Sequence, residues 1–128
     1  MPFTERPRIQ EPEHYQDKHV RFSIAHCDTD QYCILKLQKD ELEALCKRLG
    51  MYESMTWGTF VQMPHEKGLS VDKRDGVLHQ MLSRRMPGIS TFGHFRVTGT
   101  ESNMRVFVGR ERDLARILLI DRKGELQH

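Results

Sequence analysis

The chain has 128 residues with 20 Lys/Arg against 18 Asp/Glu, a formal charge of +2; this length suits one domain and would leave two ~60-residue cores marginal. With 38% hydrophobic and 30% charged residues, it is too apolar for a wholly disordered chain and too polar for a membrane protein. The longest purely apolar run, Ile117 to Ile120, falls far short of the ~20 residues of a spanning helix. The first residues are broken by Pro2, Glu5, Arg6, Pro7 and Arg8, so no secretory core is present, the expected compartment is the cytoplasm, and no membrane partner is expected.

Residues 1–19, with Pro2, Pro7 and Pro12 among mixed charges, read as an extended arm that orders only on docking. Residues 20–128 read as a single α+β domain. Val20, Phe22 and Ile24 alternate with Arg21, Ser23 and Ala25, the period-two pattern of a half-buried strand. Asp28, Thr29 and Asp30 supply turn chemistry, and a second short strand is placed over Tyr32–Leu37. Leu42, Leu45, Cys46 and Leu49 then form one apolar helical face over Lys39–Leu49. Acids open that helix, Lys47 and Arg48 lie near its end, and Gly50 is the expected terminator. Ser54 or Thr56 caps a shorter helical turn through Trp57 and Phe60, with Trp57 as a core anchor.

Residues 62–74 are polar and read as a long loop carrying His65 and Lys67, the length at which loops are functional or mobile. Val77, Leu78, Met81 and Leu82 predict a third helix between Asp75 and Arg85, closed by Pro87-Gly88. The last third reads as an antiparallel three-stranded meander: Phe95 and Val97 alternate with His94, Arg96 and Thr98, and Met104, Val106 and Val108 alternate with Arg105 and Phe107. Ala115–Ile120 follows as an aliphatic strand covered on both faces. The expected fold is therefore α+β, with an N-terminal strand, two or three helices and a C-terminal meander. No heptad series sets an oligomeric state.

Charge is uneven. Residues 1–64 hold eight Lys/Arg and ten Asp/Glu, net −2, whereas residues 65–128 hold twelve and eight, net +4. Arg84, Arg85, Arg96, Arg105, Arg110 and Arg122 belong to this surplus, and the planar fork of arginine suits phosphate. Either a nucleic-acid partner or a solvated basic face explains it. Three cysteines make no disulfide framework. Cys27 and Cys33, with His26 and Asp28 beside the first, lack zinc-site spacing, so no metal is assigned. No phosphate-binding glycine loop, dinucleotide fingerprint or nucleophile elbow occurs, and no cofactor is implied.

The chemistry worth attention lies in the meander. His94, Arg96 and Thr98 share one strand face by alternation, and Arg105 joins them if its strand presents the same side. A histidine near its free pKa of ~6.5 exchanges the proton of a ribose 2′-OH, and two arginines stabilise charge on a phosphorane. His94, Arg96 and Arg105 are thus the candidate catalytic set for RNA transesterification, with His65, Lys67, Arg84, Arg85 and Arg110 as candidate RNA contacts. The structural alternative pairs Arg96 and Arg105 with Glu101 or Glu111 on a solvated sheet face.

The stretch from Phe95 to Leu126, FRVTGTESNMRVFVGRERDLARILLIDRKGEL, resembles the terminal sheet of the RelE/ParE-like superfamily of small bacterial toxins, including HigB-type enzymes. The strand-borne arginines, the following aliphatic strand and the basic ending carry the likeness. The expected β-α-α-β-β-β order and the Met55-Thr56-Trp57 element are similar to proteins of this kind. The resemblance implies a RelE-like fold and a toxin of a toxin–antitoxin or phage-defence system that cleaves mRNA on the ribosome and is neutralised by an antitoxin. It implies phosphate contact by Arg96 and Arg105 and places Arg122 near the family's terminal basic residue. The chain departs from the pattern in its low net charge and in Leu126-Gln127-His128 where relatives carry an aromatic. A second reading stays open: a non-catalytic binding or regulatory protein of phage or defence origin that docks on a protein partner through its N-terminal arm.

Overall fold

The computed structural model describes residues 15–64, 67–72, 76–89, 91–97 and 103–126. In chain order these form β1 (Arg21–Ser23), a 3-10 turn (Ile34–Lys36), α1 (Lys39–Glu53), α2 (Trp57–Gln62), β2 (Ser70–Val71), α3 (Gly76–Arg85), β3 (Phe92–Val97), β4 (Met104–Glu111) and β5 (Leu114–Asp121). The fold is α+β, built on a mixed sheet of five strands in the order β1-β5-β4-β3-β2. The expected three-stranded meander is corrected accordingly. β3, β4 and β5 are antiparallel neighbours, β1 adds in parallel to β5, and β2, hidden in the segment expected to be loop, adds to β3. The chain's order is thus β-α-α-β-α-β-β-β, with β2 and α3 interposed before the meander. No helix among the described residues is long and apolar enough to cross a membrane.

Alternation along the strands sorts side chains to two faces. On the first, Phe95, Val97, Val106, Val108 and Ile117 pack with Leu45, Tyr52, Trp57 and Phe60 from α1 and α2. On the second, Phe92, Phe107, Leu118 and Leu119 pack with Leu82 and Met86 at α3. The β4–β5 register jumps from Phe107↔Leu119 to Val108↔Ile117. This bulge leaves Leu118 and Leu119 in the same second-face cluster, while Ile117 and Ile120 belong to the first. The aliphatic run of β5 is buried on both sides, as its composition predicts.

Several local expectations are corrected. Helix α1 runs through Gly50 to Glu53 and is capped at Ser54. Fully buried Tyr52 packs tilted against Phe60 and edge-to-face against Phe95, with ring centroids 4.4 and 5.0 Å apart, which outweighs the ~1 kcal/mol cost of a mid-helix glycine. The buried side of α1 carries Glu41, Leu45 and Tyr52, whereas Leu42 is 38% exposed and Cys46 faces solvent. Glu41 is drawn inward because Arg122 Nε lies 2.7 Å from both its carboxylate oxygens. Tyr32–Leu37 forms no strand: the Asp28 carboxylate accepts the N–H groups of Asp30, Gln31 and Tyr32, and the chain curls into the 3-10 turn. Thr56 caps α2 by accepting the Thr59 N–H. Within the expected arm, residues 1–14 lie outside the described residues. Gln16 and Lys18 accept backbone N–H bonds from Gly58 and Trp57.

Candidate functional site

The β3 and β4 ladders decide where the predicted catalytic residues stand. Arg96 lies directly across from Arg105, and His94 directly across from Phe107; on the next strand, Arg105 is paired with Asp121. Directly opposed residues share a face, so His94, Arg96 and Arg105 all stand on the second face of the sheet. Their exposure differs: Arg96 is open to solvent, Arg105 is half-buried, and His94 is only 5% exposed.

His94 owes its position to β2. Val71 pairs with Gly93 and the Asp72 N–H donates to the Phe92 carbonyl at 2.8 Å, which aims the Asp72 carboxylate at the imidazole. Asp72 Oδ1 lies 2.7 Å from His94 Nδ1, and the two side chains are 3% and 7% exposed. An ionised Asp72 holds the proton on Nδ1 and leaves Nε2 as the basic nitrogen, the arrangement in which a carboxylate orients an imidazole for proton transfer. The ring leans on Phe107, with centroids 5.3 Å apart. In the sequence Asp72 is one more polar residue of a loop-like segment; its partner is 22 positions away and no local pattern links them. Asp121, 1% exposed, accepts the N–H groups of Glu125 and Leu126 and folds the C-terminal segment back beside the arginine row. Glu111, the expected partner of the sheet arginines, is bonded to Arg116 at 2.7 Å; Glu101 and Thr98 lie outside the described residues.

The predicted RNA contacts do not gather around this row. Arg122 grips Glu41 of α1, as above. Arg110 has the parity of Val106 and Val108, and its guanidinium sits 3.8 Å over the Trp57 ring on the first face. Burial pulls its pKa down to about 10, with Asp113 opposing, so it remains a cation at neutral pH and contributes a cation–π contact. Arg85 forms a 2.7 Å ion pair with Asp28. Arg84 is exposed at the end of α3 and Lys67 is exposed before β2; His65 lies outside the described residues. Among the described residues no group of three His, Cys, Asp or Glu side chains could hold a metal ion. No family model, curated protein or solved structure matches the chain.

Proposed function

We propose that this chain is a ribonuclease that needs no metal, of the RelE-like toxin type, with the Arg96–Arg105 end of the second face, beyond the part covered by α3, as the RNA-cleaving surface. The observation that carries the reading is the Asp72–His94 pair on the same face as the Arg96–Arg105 row. In this mechanism His94 Nε2 takes the proton from a ribose 2′-OH, and the freed oxygen attacks the adjacent phosphorus. The P–O5′ bond breaks, the departing 5′ oxygen takes a proton from water, and a 2′,3′-cyclic phosphate remains. Arg96 and Arg105 offset the charge that grows on the non-bridging oxygens, and Asp72 steadies the imidazolium. The substrate is mRNA, on the ribosome if the likeness to HigB-type enzymes extends to its target, and an antitoxin would cover the same face.

One observation favours a second reading. His94 is 5% exposed, and its bond to Asp72 also clasps the two-residue strand β2 onto the sheet. In that case the arginine row binds phosphate or a protein partner without cutting. RNA incubated with the pure chain and EDTA, with and without ribosomes, separates the two. Cleavage leaves cyclic phosphate ends, falls ~100-fold or more in His94→Gln, and falls ~10- to 100-fold in Arg96→Ala and Arg105→Ala. A folded His94→Gln variant that cuts as the parent does removes the histidine from the mechanism. RNA left intact in every condition leaves the non-catalytic reading standing.

A further inference from the structure

Apart from the arginine row, an open cleft of about 520 Å³ lies between the segment following β1 and the last turn of α3, lined by His26, Asp28, Met81, Arg84, Arg85 and Leu119 among others. Its size is that of a small-ligand site, and far exceeds what a bare phosphate fills. Its charges are ordered. The Asp28 carboxylate is engaged by three backbone N–H groups and by Arg85, so it is neutralised in place and fixes the Arg85 fork at the wall. Arg84, by contrast, is exposed, and among the described residues no carboxylate pairs with it. His26 Nδ1 accepts from Arg116 Nη1 at 3.0 Å, which places the proton of the neutral ring on Nε2 as a donor. Burial, then Asp28, pushes the neighbouring Cys27 thiol up to about 11, so no thiolate opposes an anion at neutral pH. Half-buried Met81 adds apolar surface above Leu119, which closes the floor.

We propose that this cleft binds a nucleoside 5′-phosphate, with Arg84 and the Asp28-anchored Arg85 on the phosphate and the base lying against Met81. The source is either a free nucleotide or one unit of an RNA strand. The inference stands apart from the cleavage reading, because the lining contains neither His94 nor Arg96 nor Arg105 and binding is measured whether or not RNA is cut.

The test is an NMR titration of the full chain with adenosine 5′-monophosphate, adenosine, inorganic phosphate and a 5′-phosphorylated RNA trinucleotide. The expected result is movement of the amide signals of Ala25–Asp28 and Met81–Arg85, with the monophosphate binding at least ~10-fold tighter than adenosine or phosphate alone. Loss of one charge-assisted phosphate contact weakens binding ~10-fold or more in Arg84→Ala, and Arg84→Glu abolishes it. Both variants change an exposed side chain and keep the Asp28–Arg85 pair. A trinucleotide that binds more tightly than the monophosphate assigns the site to RNA, and equal affinities assign it to the free nucleotide. The proposal is overturned if none of the four moves these signals at millimolar concentration, or if Arg84→Glu binds the monophosphate as the parent chain does.

Discussion

Arg122 is the residue on which a charge count and the structure disagree most sharply, and Arg122→Ala tests which is right. Its Nε lies 2.7 Å from both oxygens of Glu41; the Glu41 side chain is 3% exposed and that of Arg122 30%. The same carboxylate accepts the Gln38 N–H at 2.8 Å and closes the start of α1. Deleting one member of a buried pair costs ~3–5 kcal/mol, because the other charge stays behind in a poor solvent. Water can reach the vacated side through the exposed third of Arg122, so ~2–3 kcal/mol is the better figure here. At roughly 4 °C per kcal/mol for a chain of this size, the melting temperature falls by about 10 °C. The double variant Glu41→Gln/Arg122→Met, which removes both charges and keeps the bulk, costs less than ~1 kcal/mol. Thermal unfolding at neutral pH, followed by circular dichroism, reads all of these. An Arg122→Ala protein that melts within about 2 °C of the parent but loses RNA affinity would refute the structural assignment.

Two further outcomes are expected. Burial raises the Asp28 carboxyl, but the N–H groups of Tyr32 and Asp30, the Arg85 charge and the Gln31 N–H together hold it below the ordinary value of 3.8. A lowered folded pKa adds stability that is complete above the unfolded pKa and is lost as pH falls through the folded one. Urea midpoints should therefore show the gap between parent and Asp28→Asn closing in acid, and a gap that widens there would contradict the assignment. At Gly93, an added Cβ would lie 2.8 Å from the Ser70 backbone oxygen; Gly93→Ala should thus push β2 away at a cost of ~1–3 kcal/mol. Hydrogen exchange at the Asp72 amide, bonded to Phe92 at 2.8 Å, should speed up with little change at the centre of β4, and an equally protected Asp72 amide would show that β2 does not depend on this glycine.

What could be read from the sequence follows the range of the interactions involved. Alternation in Phe92–Val97 and Met104–Glu111 is a nearest-neighbour property, and it suffices to place His94 and Arg96 on one face. The pairing that adds Arg105 to them depends on turn length, and here the two strands meet as the parity of each allows. The capping of α2 by Thr56 and the turn at Asp28 are equally local. The strand expected over Tyr32–Leu37 is displaced by a local effect, the turn that the Asp28 carboxylate organises; the other departures have different causes. The buried side of α1 was misplaced because an ion pair across 81 positions turns Glu41 inward against the apolar stripe. Strand β2 was missed because two residues carry no period, and Asp72 was missed with it. Gly50 failed as a terminator because Tyr52, two residues on, had a cavity of aromatic rings to fill.

The same distinction bears on how the basic half of the chain is interpreted. Twelve Lys/Arg in residues 65–128 suggest a polyanion partner, yet sequence cannot say which of these charges reach solvent uncompensated. Arg116 and Arg122 are held by Glu111 and Glu41, and Arg110 is spread over Trp57. An arginine committed to a carboxylate in the fold adds little to the field outside it, since the carboxylate offsets its charge. Strand parity separates the two kinds within β4 itself: Arg105 stands with Arg96 on the second face, whereas Arg110, at an odd offset from Arg105, turns to the first and lies over Trp57. A search for the RNA-contacting surface should therefore weigh the exposed Arg84 and Arg96 above Arg110, Arg116 and Arg122, although all five look alike in the sequence.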